Sequence, residues 1–401
     1  MIIYIILFLT IGLLFGIFTG LCPGVHINLV STLLLSLIPL ISNTIDPLYI
    51  VLIIIGMSIT HTFLDFIPSV YLGAPNEDSA ATILPAHKML INGKGYEAVK
   101  YSILGAFTGL ILTALLISTI INLSKNYYQL LQQYIPFILI LSIILILIKE
   151  EGSKINAILV ILLSGSLGLL VLNLSTLTNP LFPLLSGLFG ISTLIISLNE
   201  KTVIPKQEIQ EETKFNKREL SKVTFTSFIT SIISRFIPGI SSSQSAIVSS
   251  SFLKNIEPKS FIFMSGLIGT STMIISFAAL YSINKARNGA VVVISKIIEN
   301  ITLNNIFLFV SCSIFIGGLA FIISLKISKK FSVFITKINY QKISLAIIIT
   351  ITILVMILTG FIGLLVLTVS TAIGLLPQLL KVGKNHSMAC LIIPVLLFLI
   401  L

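Results

Sequence analysis

Residues 165–176 read GSLGLLVLNLST, and residues 360–371 read GFIGLLVLTVST. Eight of the twelve positions agree. Leu and Val matches carry little weight in so apolar a chain. The pairs Gly165/Gly360, Gly168/Gly363, Ser175/Ser370 and Thr176/Thr371 carry more. Two further correspondences lie outward from this one. Leu21-Cys22-Pro23-Gly24-Val25-His26 runs parallel to Phe236-Ile237-Pro238-Gly239-Ile240-Ser241, and Gly105 with its neighbours runs parallel to Gly317 and Gly318. The order is the same in both halves, which is the signature of an internal duplication. The halves are residues 1–198 and 223–401, joined by the charged stretch 199–222.

Composition decides what the halves are made of. Apolar residues form 56% of the chain and charged residues 10%, where a soluble domain carries about 25% charged. Apolar segments recur at 2–21, 27–41, 48–64, 66–85, 101–123, 135–148, 155–174 and 181–198. After the linker they resume at 223–238, 240–253, 260–282, 289–298, 304–325, 343–358, 359–376 and 388–401. A spanning helix needs about 20 residues, so several of these are too short. Short apolar segments are read as broken or re-entrant helices, which occur where the backbone lines a protein-enclosed cavity. The apolar run at Ile2–Leu21 has no preceding basic residue and reads as a retained membrane segment rather than a signal peptide.

Basic residues concentrate in 199–222 (six) and 326–342 (five), which places these loops in the cytoplasm. Counting crossings from the linker makes 304–325 run inward and its repeat mate 101–123 run outward. Lys285, Arg287 and Lys296 fall on the opposite side in this scheme. The expectation is an all-α, multi-pass protein of the cell membrane. Its two pseudo-symmetric repeats are inverted and carry broken or re-entrant helices. The net charge of +11 is absorbed by cytoplasmic loops, and no basic-aromatic patch points to nucleic acid. Cys22, Cys312 and Cys390 show no metal or disulfide spacing. No HExxH, CxxC, Walker loop or GxSxG is present, so neither enzyme chemistry nor a cofactor is expected.

Each half carries a Pro-Gly in an apolar context. Pro ends a helix, Gly permits the turn, and a new helix then presents unpaired N–H groups that attract anions. In the first half Pro23 and Gly24 are followed by His26 and Asn28. In the second, Pro238 and Gly239 are followed by Ser241, Ser242, Ser243 and Gln244, with Arg235 one turn upstream. Two such motifs at matching repeat positions point to a shared anion-binding site; the alternative is a pair of kinks with serines bonding neighbouring helices. His61 and Asp65 lie four apart on one helix face, inside an apolar run. They serve either proton or sodium coupling or a self-neutralising structural pair. Gly73-Ala74-Pro75-Asn76-Glu77-Asp78 reads as a solvated turn with a cation site as the alternative. His87, Lys88, Lys94 and Lys100 read as a plain cytoplasmic loop.

Several of these residues carry a family resemblance. Gly16-Ile17-Phe18-Thr19-Gly20-Leu21-Cys22-Pro23-Gly24 resembles the first-half G-x-x-x-G-x-x-P-G motif of the TctA family, the large membrane subunits of tripartite tricarboxylate transporters. Leu72-Gly73-Ala74-Pro75 with Ala80-Ala81-Thr82, and Lys94-Gly95-Tyr96-Glu97-Ala98, are similar to its Pro-containing loop and its Lys/Arg-x-G-x-A element. Phe236-Ile237-Pro238-Gly239-Ile240 resembles the second-half motif, and Gly383-Lys384-Asn385-His386-Ser387-Met388 the family's ending. The resemblance runs over nearly the whole chain and looks closest to an archaeal branch. It implies a permease for a small organic anion such as a di- or tricarboxylate, coupled to a proton or sodium ion. The chain departs from the family at Ser265–Thr272, where the bacterial subunits carry an acidic, Asn-rich segment. Neither the tricarboxylate itself nor dependence on an accessory small subunit or binding protein is carried over. Two rival readings stand beside this one. Pro-Gly-Ile-Ser-Ser is also similar to the Pro-Gly-Val-Ser-Gly of a family that translocates polyprenyl phosphates, and an intramembrane enzyme would need a nucleophile and base within reach.

Overall fold

The structure is a computed structural model. It describes residues 2–22, 27–28, 30–31, 33–35, 46–73, 82–148, 150, 152–177, 180–199, 205–209, 216–236, 241–253, 256–286, 288–298, 300–336 and 340–400. Among these residues every regular element is helical. In chain order they are α1 (Ile2–Leu21), α2 (Pro47–Leu64), α3 (Phe66–Leu72), α4 (Ile83–Ile91), α5 (Gly95–Ile148), α6 (Lys154–Leu172) and α7 (Leu181–Leu185). A π-helix (Ser186–Ile191) joins α7 to α8 (Ser192–Asn199). Then come α9 (Lys217–Phe236), α10 (Ser242–Ser251), α11 (Pro258–Ile283), α12 (Gly289–Ile297), α13 (Leu303–Ile335) and α14 (Tyr340–Leu379). A 3₁₀ turn (Lys384–Met388) leads into α15 (Ala389–Ile400).

Among the described residues seven helices are long and apolar enough to cross a membrane: Ile2–Leu21, Pro47–Leu72, Gly95–Leu130, Lys154–Leu172, Pro258–Ile283, Leu303–Ile335 and Ser344–Leu379. The remaining apolar helices are shorter, at Pro136–Ile148, Leu181–Ile196 and Lys384–Ile400. An all-α multi-pass membrane protein with short interrupted segments is therefore what the chain forms. Two expected segment pairs are merged. Segments 101–123 and 135–148 lie in one helix, α5, with Pro136 inside it. Segments 343–358 and 359–376 lie in α14, bent where Gly360 takes φ 67°. That backbone region is open to glycine and strained for most other residues. Gly360 and its repeat mate thus do different work. Gly165 lies inside α6, where an added Cβ would run into Ile393 of α15.

The centre of the molecule is decided by which helices lose contact with lipid. The most apolar window of the α2–α3 segment is 100% buried and that of α11 94%, whereas that of α14 is 17% buried. Around this centre the helices approach through small residues. Gly16 and Gly20 of α1 face Met57, Thr60 and Leu64 of α2, and Gly109 of α5 faces Leu267 and Ser271 of α11. In lipid no hydrophobic force drives helices together, so close backbone approach and dispersion must hold them. α2 starts cleanly because Asp46 accepts the Leu48 amide at 2.9 Å and Pro47 occupies the first turn. It stops at Asp65, and the chain resumes as α3 after this single break.

Candidate functional site

The two central helices carry an unusual polar load. Buried on α2 are Ser58, Thr60, His61, Thr62 and, at its end, Asp65. Buried on α11 are Ser265, Thr270, Ser271, Thr272 and Ser276. Many membrane hydroxyls hide by bonding their own helix, as Ser227 and Ser231 of α9 do to Val223 O and Ser227 O. A different set bridges helices. His61 Nδ1 lies 3.1 Å from Thr19 Oγ1 of α1. Thr270 Oγ1 donates to Thr62 Oγ1 at 3.0 Å. Ser242 Oγ and Thr272 Oγ1 share a hydrogen bond at 3.1 Å. These contacts make one polar seam running α1–α2–α11–α10 through the middle of the bundle.

Directly before Thr270 sits Gly269. It is buried, yet among the described residues a Cβ placed on it meets nothing within 4 Å. Space inside an otherwise close-packed helix is uncommon. Around this seam are buried polar atoms that have no partner among the described residues: Ser58 Oγ, Thr60 Oγ1, Gln244 Nε2, Ser249 Oγ and Ser271 Oγ. Each such group costs roughly 1–3 kcal/mol when left unmet. A set of hydroxyl and amide donors, with the buried Arg235 ending α9, is chemistry that suits oxygen-rich anions.

The profile of the family described as "Tripartite tricarboxylate transporter TctA family" matches residues 6–389. The chain belongs to the TctA family. An uncharacterized protein of the archaeon Methanocaldococcus jannaschii is 32% identical over 404 residues, covering 98% of each chain, in keeping with an archaeal branch. No solved structure matches. TctA membership makes the chain a membrane component of a transporter rather than an enzyme.

Of the residues singled out from sequence, Pro23, Gly24, His26, Pro238 and Gly239 lie outside the described residues, as do Ala74–Asp78 and Arg287. The separation of the two Pro-Gly turns lies outside them too. The others have defined settings. Ser241 and Gln244 form a capping box that starts α10: the Ser241 hydroxyl accepts the Gln244 amide, and the Gln244 side chain accepts the Ser241 amide. Their oxygens are thus engaged, and Ser242 reaches another helix through its bond to Thr272. Ser243 is buried beside it. Asn28 Oδ1 accepts the Ala290 amide at 3.2 Å, so it caps α12 from the other half of the chain. Lys285 donates to Tyr128 Oη at 3.3 Å. His61 and Asp65 are both buried, and the Asp65 carbonyl accepts from Ser69 Oγ at 2.9 Å.

Sequence reasoning missed Thr62, Thr270 and Thr272, because a threonine in an apolar run gives no sign of whether it bonds its own turn or a neighbour. It also missed a second buried cluster. Lys384 is 7% exposed. Its ammonium donates to Ser192 Oγ at 2.8 Å, Thr193 Oγ1 at 2.6 Å and Phe189 O at 3.3 Å, where the π-helix meets α8. Burial lowers its pKa to about 7. His87 of α4, read from sequence as part of a plain loop, is lowered first by burial and then by the charge of Lys384. Next to Lys384, His386 pairs with Glu150, whose carboxylate also accepts the Gly152 and Gly383 amides. Burial pushes Glu150 up, but these hydrogen bonds outweigh it and hold the carboxyl below its usual range.

Proposed function

We propose that this TctA-family chain is an ion-coupled permease for a small organic anion, a di- or tricarboxylate, built from two inverted repeats. The observation that carries the reading is the polar seam between α2, α10 and α11 around the open position at Gly269. Pro23, Gly24, His26 and Asn28 from one half, with Pro238, Gly239, Ser241, Ser242, Ser243 and Gln244 from the other, would bring two helix N-termini to this seam. Arg235 would supply the counter-charge. His61 and Asp65, one helical turn apart beside the seam, would carry the coupling proton or sodium ion. A small subunit and an extracytoplasmic binding protein are the partners that the family description implies.

The test is thermal stabilisation of the purified protein, since a ligand that binds only the folded state raises its melting temperature. Citrate, succinate and a polyprenyl phosphate serve as probes. Stabilisation by a carboxylate is expected. It should fall by roughly 1–3 kcal/mol of binding in Ser242→Ala, the scale of a hydrogen bond to a charged group. Gly269→Ala should keep the fold, because among the described residues a Cβ there meets nothing within 4 Å, yet weaken the ligand effect. Stabilisation by the polyprenyl phosphate alone would replace this reading with an anionic-lipid translocase.

A further inference from the structure

Lys384 poses a problem that the anion site does not solve. A buried ammonium is normally paired with a carboxylate, because an unpaired buried charge is costly. Among the described residues Lys384 has no carboxylate partner; its three protons go to two hydroxyls and one backbone carbonyl. Glu150, which pairs with His386 two residues along the chain, is committed to that imidazole and two amides. The other titratable groups on the elements packed around it are His87, which lies near enough to feel its charge, exposed Lys88, Lys154, Lys342 and Lys381, and buried Cys390.

The shell around Lys384 is made for two protonation states. In the structure Ser192 Oγ donates to Leu188 O and Thr193 Oγ1 donates to Phe189 O, so each hydroxyl accepts from the ammonium with its lone pair. When the ammonium gives one proton to water, the neutral amine keeps two N–H bonds and gains a lone pair. Either hydroxyl can then rotate and donate to that nitrogen. No group in the shell is left unmet in either state. A shell of neutral oxygens also gives the charged state no electrostatic lock, unlike a carboxylate. The shell sits where a π-helix interrupts the run from α7 to α8, a geometry frequent at functional sites.

We propose that Lys384 is a further proton-binding site of this transporter, its amine taking up and releasing a proton during transport within the Phe189–Ser192–Thr193 shell. This rests on the ion-coupled reading above and adds to the ion carried at His61 and Asp65 a proton taken up at a second, separate place.

Two measurements separate the parts. The first needs no substrate: melting temperature against pH for the wild type, Lys384→Met and Lys384→Arg. The folded lysine binds its proton less readily than the unfolded one. Its burial penalty is therefore full below the folded pKa and disappears as pH rises towards the unfolded value. The wild type should gain stability relative to Lys384→Met between pH 6 and pH 9, and Lys384→Arg, permanently charged, should show no such gain. If Lys384→Met does not fold, the comparison with Lys384→Arg carries the test. Parallel curves for wild type and variants would overturn the proposal. The second is uptake of labelled citrate into proteoliposomes. Lys384→Met should retain citrate exchange but lose accumulation driven by a pH gradient. Gradient-driven accumulation equal to wild type would overturn the proposal. Absence of citrate exchange in the wild type would instead strike the carboxylate reading, and the melting curves would still decide whether Lys384 titrates.

Discussion

Gly16→Ala is the sharpest test of how the central helices are held. A Cβ on Gly16 would lie 2.5 Å from Thr60 Cβ and 2.6 Å from Met57 O. Ordinary contact begins at 3.4 Å, so α1 and α2 would have to part by about 0.8–0.9 Å, the difference between those distances. Neither obstacle can swing aside: one is a backbone carbonyl, the other the first carbon of a β-branched side chain. Overpacking of this kind costs about 1–3 kcal/mol. Replacing Gly by Ala in a helix returns about 0.5–1 kcal/mol, which leaves a net loss on the order of 1–2 kcal/mol. The separation also strains the Thr19–His61 contact, 3.1 Å long before the change. Gly318→Ala is the matched control, since among the described residues a Cβ there meets nothing within 4 Å; it should be neutral or slightly stabilising. Thermal melts of the purified variants in detergent, with size-exclusion profiles, decide the matter. If Gly16→Ala melts at or above the wild type, or if Gly318→Ala is the more damaging change, the helix contact is not as tight as the structure has it.

Asp65→Asn should uncouple or abolish transport while leaving the melting temperature and ligand-induced stabilisation near wild type; lost expression without a coupling defect would return Asp65 to a structural role. Single cysteines placed at Glu211 and Lys337 should resist a membrane-impermeant reagent added to intact cells, because the inverted-repeat scheme puts both loops in the cytoplasm; strong labelling at either one refutes it. Glu150→Gln should melt below the wild type at neutral pH. The folded pKa of Glu150 is depressed, so its contribution is present above the ordinary Glu range and is lost as pH falls through the folded value. The gap between the two proteins should therefore close on acidification below about pH 4, and a gap constant down to pH 3 would remove the Glu150–His386 pair as a source of stability.

The reach of the sequence was set by what hydropathy and spacing can encode. Charge sparsity and recurrent apolar segments determine a multi-pass helical protein, because backbone groups in lipid must be satisfied within helices. The quoted G-x-x-x-G-x-x-P-G stretch determines the family. Residue types along one segment also point to the polar character of α2 and α10. Partnership is what they leave open. Ser227 and Thr62 look alike in sequence and both donate to their own helix, yet Thr62 also accepts from a threonine 208 residues away. Gly165 and Gly360 match in alignment, yet one packs and the other bends the chain. Lys384 reads as one more basic residue after a cytoplasmic loop, and the fold buries it in a shell of neutral oxygens. A side chain's solvation depends on which distant helix the packing brings against it. That long-range choice, made by small residues letting particular helices approach, is what only the tertiary structure decided.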